Sequence, residues 1–469
     1  MMDLTPTVFD LRLTSAVIVG KLARIASRRL GTGGGTSLPG ALARRVDPGT
    51  IGKLARQLPQ GNLLVTGTNG KTTTSRLLAS ILGNSGWQPV HNRAGANLAS
   101  GLATALVTQA NLVGRASADS GLFEVDEAVF TQVLSTFSPR VVLLTNLFRD
   151  QLDRYGEIDL IATRWREALR QLSPATTVVI NADDPAVAAL GRDLAAPVIY
   201  FGVDAPSDHK ALDHVADSRR CPFCGSPLEY EVVRYAHLGD YCCPKGDFRR
   251  PPLDVAATRI VSHGVESTDV VVTGPFGTRD WRFGLPGLYN VYNLLAAVAA
   301  ATAAGAPVAA VDTTLANFSA AFGRLEQIRV GDRTLFFALI KNPVGFTEVL
   351  RTILADSEPK DCAFFINDNL ADGTDVSWLW DAQVETVAER CRSAIVSGTR
   401  AGDMAVRLKY AGVSADRIQT IDSIEKGLDV GLASLAPGGT LYVLPTYTAM
   451  LELRTIVSRR HYANHFWDD

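Results

Sequence analysis

"NLLVTGTNGKTTTSRLLASIL", residues 62–82, is the stretch on which the reading of the whole chain turns. A short apolar run, Leu63 to Val65, ends in Thr66-Gly67-Thr68-Asn69-Gly70 and passes into Lys71-Thr72, with apolar residues at helical spacing beyond. A strand that turns through glycines into a helix start gathers backbone N–H groups around one point, and such a point binds phosphate. The strict pattern G-x-x-x-x-G-K-[ST] is not met, because Val65 stands where its first glycine belongs. The physical requirements are met all the same. Gly67 and Gly70 let the backbone approach the oxygens, Lys71 supplies a charge for the β- and γ-phosphates, and Thr72 or Thr73 can hold Mg²⁺. The stretch therefore predicts an ATP site built from Gly67, Thr68, Asn69, Gly70, Lys71, Thr72 and Thr73. A glycine-rich turn of purely structural purpose needs no lysine followed by three threonines.

Outward from this loop, strands alternate with helical patterns, which argues for parallel α/β sheets. "SGLFEVDEAVF", "PRVVLLTNL" and "TTVVINADDP" read as further buried strands with polar residues at their carboxyl ends, where ligands of open α/β sheets gather. The rhythm breaks between residues 205 and 252 in a charged, cysteine-bearing insertion. "LPGLYNVYNLLAAVAAATAAG" then reads as a helix whose alanine face suits close packing on a sheet, and a fresh α/β series begins after Phe322. The 469 residues thus divide into an N-terminal helical segment (1–50), a central ATP-binding domain (51–322) that carries the insertion (205–252), and a smaller α/β C-terminal domain (323–469).

Hydrophobic residues make up 46% and charged residues 20%, a soluble globular composition. With a net charge of −2 and a pI near 6.4 there is no basic field to favour nucleic acid. Basic residues do crowd the N-terminus, at Lys21, Arg24, Arg28 and Arg29. The apolar run Ala16–Val19 is broken by Gly20 and Lys21, far short of the roughly 20 residues a membrane span needs. An amphipathic helix packed on a cytoplasmic protein is expected instead. Four of the six cysteines lie between Cys221 and Cys243, which suggests metal more than bridges.

Gly67-Thr68-Asn69-Gly70-Lys71-Thr72 resembles the ATP loop of the Mur ligase and folylpolyglutamate synthetase superfamily, and other stretches follow in that family's order. "FEVDE" offers Glu124, Asp126 and Glu127. The resemblance implies that one of these carboxylates binds Mg²⁺, with Glu127 the first choice, Glu124 behind it, and Thr72 as a further ligand. "TNLFRDQLDRYG" is similar to the family's Asn-x-x-x-Asp-His-Leu-Asp stretch, with Gln151 in the place of the histidine. "NADDP" (Asn181), "GLYNVYN" (Asn290, Asn293) and "FGRLE" (Arg324) match its nucleotide-side and hinge signatures. The asparagines serve equally well as helix caps or buried amides. Where amino-acid-adding members carry Asp-Tyr-Ala-His-Asn-Pro, this chain has Ala338-Leu339-Ile340-Lys341-Asn342-Pro343, a departure from that type.

"GGTSLPG" (34–40), "NRAGANLASG" (92–101), the cysteine insertion, "KNPVGF" (341–346) and "DGTDVSWLWD" (372–381) together resemble the MurT family, the Mur-ligase-like subunits of lipid II isoglutaminyl synthases. The resemblance runs over nearly the whole chain. It implies ATP- and Mg²⁺-dependent amidation of the D-glutamate α-carboxylate in the lipid II stem peptide, through an acyl phosphate. Asn92, Arg93 and Asn97 are then candidate substrate contacts. Cys362 falls in an apolar strand and Cys391 in a helical pattern, neither with a histidine nearby in sequence, so ammonia would come from a GatD-like glutaminase subunit. One of Asp372, Asp375 and Asp381 would complete that partner's Cys-His-Asp triad. The enzyme would act at the inner membrane face through its lipid-linked substrate. Cys221-Pro-Phe-Cys224 is a good zinc knuckle, and the family would supply a second pair from "YCCPKGD", but Gly246 stands where the fourth cysteine belongs. Cys243 with Cys242 or His237 would then complete a structural zinc set, against a metal-free ribbon held by packing or a disulfide. Two rival functions are an amino-acid ligase of the Mur or folylpolyglutamate type and a zinc-ribbon module that uses ATP only as a switch.

Overall fold

The computed structural model describes residues 10–29, 37–92, 96–149, 158–207, 209, 212, 216–318 and 324–462. Arg93, Gln151 and the expected boundary at 322/323 lie outside the described residues, as does the side chain of Arg324.

Among the described residues eleven strands precede that boundary: β1 (Asn62–Thr66), β2 (Pro89–His91), β3 (Ser120–Glu124), β4 (Val141–Leu144), β5 (Thr177–Asn181), β6 (Val198–Val203), β7 (Glu229–Tyr235), β8 (Leu238–Cys242), β9 (Val255–His263), β10 (Ser267–Gly274) and β11 (Gly277–Phe283). Nine form one sheet in the order β11-β10-β9-β6-β5-β4-β1-β3-β2. Its six strands from β6 to β2 run parallel, β9 joins β6 in parallel, and β10 and β11 return antiparallel. The parallel strands are buried on both faces, which is why they read as unbroken apolar runs. Successive side chains point to opposite faces: Leu63 and Val65 pack with Leu77 and Ile81 of helix Lys71–Asn84, and Leu64 packs with Phe123 and Val142 on the other side. Helix Leu288–Ala303 lies against the first face and is buried continuously from Asn290 to Ala301, because alanine lets it approach closely. Helices Leu11–Arg29, Leu38–Val46 and Ala99–Gln109 cover the second face.

The insertion folds as the two-stranded hairpin β7-β8 with its own small core of Leu228, Tyr241 and Cys243. A second sheet follows, ordered β12-β13-β17-β14-β15-β16, from β12 (Arg324–Val330), β13 (Arg333–Ala338), β14 (Lys360–Phe365), β15 (Cys391–Ser397), β16 (Ile418–Thr420) and β17 (Thr440–Pro445). Only the β12-β13 hairpin in it is antiparallel. Cys391, expected in a helix, is instead the first residue of β15: the helical pattern ends at Arg390, and the β-branched run of "SAIVS" is buried beside β14. At the start of β12, Leu325 sits at φ 65° beside a bulge. Left-handed backbone costs a leucine about 1–2 kcal/mol, so the hinge between the two sheets is held by its surroundings rather than by local preference.

Candidate functional site

The phosphate loop joins β1 to helix Lys71–Asn84 at the carboxyl edge of the sheet. Gly67 (φ 134°) and Gly70 (φ 84°) adopt backbone that disfavours side chains, and both sites are crowded as well. A β-carbon on Gly67 would meet Thr145 Oγ1 at 2.1 Å, and one on Gly70 would meet Asn293 Oδ1 at 2.0 Å. The segment after β4 clamps the loop: Asn69 N donates to Asn146 Oδ1 (2.8 Å), Asn146 Nδ2 and Thr145 Oγ1 donate to Asn69 O (3.1 and 3.0 Å), and Thr68 Oγ1 accepts from Phe148 N (3.0 Å). Thr145 and Asn146 were not singled out from the sequence. Their signal was the family-like "TNL" stretch, which says nothing of what an asparagine holds.

The buried Lys71 ammonium donates to Glu127 Oε2 (2.9 Å), to Thr68 O (3.2 Å) and to Gly67 O. Thr72 Oγ1 donates to Glu124 Oε1 at 3.1 Å. The two carboxylates therefore divide the work differently from the order expected. Glu127 balances the lysine, and Glu124, at the end of β3, stands beside the threonine. A hydroxyl and a carboxylate so placed form a hard oxygen set that suits Mg²⁺.

Asn92 has no amide atom to spare: its Oδ1 accepts from Glu124 N (2.9 Å) and its Nδ2 donates to Glu124 O (2.7 Å) and Ala96 O (2.8 Å). Its geometry is that of a positioning residue for Glu124. Asn97 lies alongside, its carbonyl accepting from Asp126 N at 3.0 Å. Asn290 and Asn293 are both buried, and Asn293 Nδ2 donates to Asn290 Oδ1 (3.0 Å) while Thr74 Oγ1 donates to Asn293 Oδ1 (3.3 Å). The pair braces helix Leu288–Ala303 against the loop. Asn181, at the end of β5, accepts from Asp183 N (3.0 Å), and its buried Nδ2 meets no acceptor among the described residues. The C-terminal domain also reaches the loop, because Asn342 Nδ2 donates to Asn69 Oδ1 at 2.8 Å. The same Asn342 caps helix Pro343–Ile353 through Gly345 N (2.8 Å), and an Asn-Pro pair before an apolar run is the sequence signal for that cap. A cavity of about 260 Å³ lies elsewhere, lined by Val203, Arg234, Ser262, Thr268 and Leu288, and none of the predicted site residues borders it.

In the ribbon, the sulfurs of Cys221, Cys224 and Cys243 lie within 4.8 Å of one another. Neither expected fourth ligand joins them, which corrects the set predicted with Cys242. That residue closes β8, where the side chain of a neighbour in sequence points to the opposite face. His237 is fully buried and faces the other way, with Nδ1 accepting from Asp217 N (3.2 Å) and Nε2 3.4 Å from Asp184 Oδ2. Gly246 and Asp247 instead complete a knuckle-like turn in which Gly246 N donates to Cys243 O (2.9 Å) and Asp247 Oδ2 lies 4.0 Å from Cys243 Sγ. Three thiolates and a nearby carboxylate fit the preferences of Zn²⁺.

The three aspartates of "DGTDVSWLWD" differ sharply. Asp372 is buried and accepts from Thr448 N (2.7 Å) and Thr448 Oγ1 at the start of helix Tyr447–Arg459; burial raises its pKa against these bonds. Asp381 Oδ2 lies 3.9 Å from Arg149 of the central domain. Asp375 is exposed and accepts from Ser377 N (2.8 Å) at a short 3₁₀ turn, bonds that lower its pKa.

Comparison with known proteins follows the same division. Residues 65–242 match the Mur ligase middle domain family, and residues 339–450 match the MurT ligase C-terminal family. The chain is 33% identical over 96% of its length, and 98% of the relative's, to the protein from Streptococcus pneumoniae named lipid II isoglutaminyl synthase (glutamine-hydrolyzing) subunit MurT. To the protein of the same name from Staphylococcus aureus it is 31% identical, with the same coverage. Its fold is similar to that of a pseudomurein peptide ligase type C from Methanothermus fervidus, with TM-score 0.64 and 22% identity over 85% of this chain and 78% of that one.

Proposed function

Since this chain belongs to the MurT family, we propose that it is the ATP-dependent synthetase subunit that converts the D-glutamate α-carboxylate of the lipid II stem peptide to D-isoglutamine. The observation that carries this reading is the similarity to MurT subunits at both ends of the chain, 33% over 453 residues. A carboxylate does not condense with ammonia as it stands, because hydroxide is a poor leaving group. Transfer of the γ-phosphoryl group to the carboxylate oxygen releases ADP and leaves an acyl phosphate; ammonia attacks its carbonyl carbon, and phosphate departs. The loop amides of Gly70 and Lys71 and the Lys71 ammonium hold the β- and γ-phosphates, with Glu127 fixing the ammonium. Thr72 and Glu124 would hold Mg²⁺, which when bound neutralises charge on the phosphate oxygens. Asn92 orients Glu124, and Asn97 lies where an anionic acceptor would approach. Asn181 has a donor left for the nucleotide.

The ammonia source is a GatD-like glutaminase subunit. Cys362 and Cys391 are both buried on neighbouring strands, so neither can present a thiolate to glutamine. An acid that completes a partner's triad must be reachable at the surface, which selects the exposed Asp375 and Asp381 over the buried Asp372. The exposed Leu370, Trp380 and Tyr410 give the partner apolar contact nearby. The cysteine ribbon holds zinc through Cys221, Cys224 and Cys243 as a structural site, and the complex works at the inner face of the membrane.

The test is amide formation on purified lipid II by this chain with a glutaminase subunit, ATP, Mg²⁺ and glutamine, and with ammonium when the subunit is left out. Amide from both nitrogen sources, lost in Lys71→Ala, is the expected result. ATP turnover that yields product only with free amino acids would sink the reading in favour of an amino-acid ligase.

A further inference from the structure

Helix Leu11–Arg29 is apolar on both of its faces. Leu13, Ala16, Val17 and Gly20 are buried against the body of the protein, where a β-carbon on Gly20 would meet Val107 at 2.7 Å. On the opposite face Leu11, Ile18, Leu22 and Ile25 are 70%, 40%, 60% and 51% exposed. With 3.6 residues per turn these four fall within about 60° of one another around the helix axis. Large apolar side chains gathered in the open on one helix face mark a contact surface. The neighbouring loop widens the same surface, for Leu112 and Val113 are 64% and 49% exposed and Thr14 Oγ1 donates to Val113 O (3.3 Å).

The charge on this helix selects what covers it. Arg12, Lys21, Arg24, Arg28 and Arg29 lie in it with no acidic residue. Two of the cations reach back to the body of the protein, Arg12 Nε donating to Val46 O (2.9 Å) and Lys21 Nζ to Thr108 O (3.0 Å), while the exposed Arg29 falls at the helical angle of Leu11 and Leu22. A second copy of this chain, related by twofold symmetry, would bring a basic helix against a basic helix, which repel. A surface of anionic phospholipid attracts the basic helix and takes up the leucine and isoleucine side chains, the behaviour of helices that lie in a membrane interface. We propose that the Leu11/Ile18/Leu22/Ile25 face of this helix docks on the anionic lipid surface of the membrane, alongside the lipid-linked acceptor. The inference rests on the reading of that acceptor as lipid II. A few apolar side chains bind lipid weakly and reversibly, and the anchored substrate adds a second attachment that raises the effective concentration.

The experiment is vesicle flotation of the full chain, in complex with the glutaminase subunit and without lipid-linked substrate. The probes are vesicles of phosphatidylglycerol with phosphatidylcholine and of phosphatidylcholine alone. The wild type is expected to float with the anionic vesicles, less so as salt rises, and weakly with the neutral ones. Ile18→Glu/Leu22→Glu should lower that partition at least about tenfold, leave amidation of detergent-dispersed substrate unchanged, and slow amidation of substrate held in vesicles. Should this pair fail to fold, as read by circular dichroism, Leu22→Ser carries the same expectation at smaller size. Wild type that stays with the soluble fraction, or variants that float equally well, overturn the proposal. So does a wild-type assembly that halves in mass on substitution, which would give the face to a second copy. Failure of the wild type to amidate detergent-dispersed lipid II would sink the acceptor reading instead, whatever the vesicles report.

Discussion

At the scale of single residues, the site divides two carboxylates between two tasks. Glu127 is the counter-charge of a buried lysine, and Glu124 stands 3.1 Å from the threonine hydroxyl. Their amide variants should therefore fail differently. Glu124→Gln removes a hard ligand, so the Mg²⁺ requirement of ATP turnover should rise at least about tenfold with little change in stability. Glu127→Gln leaves a buried ammonium short of its counter-charge and should lower unfolding stability by up to about 3 kcal/mol. A Mg²⁺ titration and a urea melt of each variant separate the two; equal effects in both assays would refute the division. Asp372 gives a second contrast. Removing its acceptor oxygens with Asp372→Ala strands the Thr448 N–H and hydroxyl, at a cost of about 1–3 kcal/mol, whereas Asp372→Asn keeps one oxygen for the Thr448 N–H and offers the hydroxyl an amide donor to accept from. Burial raises the Asp372 pKa above its ordinary 3.8, so the unfolded chain gives up this proton first as pH rises. Wild-type stability should then fall with rising pH from about 3.8 up to the raised value, and Asp372→Asn should lack that share of the slope. A slope identical in both proteins would show that Asp372 ionises as freely folded as unfolded.

At the scale of elements, the ribbon hairpin has a core of Leu228, Tyr241 and the cysteines, too small to fold an insertion unaided. Metal analysis of the purified chain should find one zinc. Chelation or Cys224→Ser should loosen hydrogen exchange in β7 and β8 while ATP turnover on the central sheet falls far less. A chain free of metal with a fully protected hairpin would assign the ribbon to packing alone. This element also marks how far the sequence carries. Unbroken apolar runs between helical patterns made the parallel sheets legible, and the glycines before Lys71 made the tight strand-to-helix loop legible, because each is dictated by local chemistry. The zinc set was misjudged because β8 ends at Cys242 and the chain turns at Cys243, which alone of the two joins Cys221 and Cys224, and where a strand ends is not marked by the residue type. Cys391 was misread because a helix ends one residue before it. Asn146 and Asn342 act through contacts 77 and 273 residues away along the chain, which no local pattern encodes.

At the scale of the whole molecule, the two sheets meet at the phosphate loop. Asn342 of the second domain donates to Asn69 of the first, Asp381 approaches Arg149, and Tyr289 and Val265 of the central domain pack against the C-terminal core. A nucleotide that settles on the loop should therefore stabilise both domains, with Asn342 the side chain that touches the loop itself. At a hundredfold excess over its dissociation constant, a ligand adds about 2.7 kcal/mol to whatever it binds when folded. With a non-hydrolysable ATP analogue and Mg²⁺, slowed hydrogen exchange should appear both in the central sheet and in helix Pro343–Ile353. Asn342→Ala severs the link but also removes a helix cap worth about 1 kcal/mol, so loss of protection in that variant alone is ambiguous. Asn342→Ser resolves it, since a serine hydroxyl still caps the helix through Gly345 N but is too short to reach Asn69. In Asn342→Ser the analogue should protect the central sheet as before and leave helix Pro343–Ile353 at its nucleotide-free rate. Protection that still spreads to the helix would place the coupling in the Tyr289 and Val265 packing rather than in this hydrogen bond.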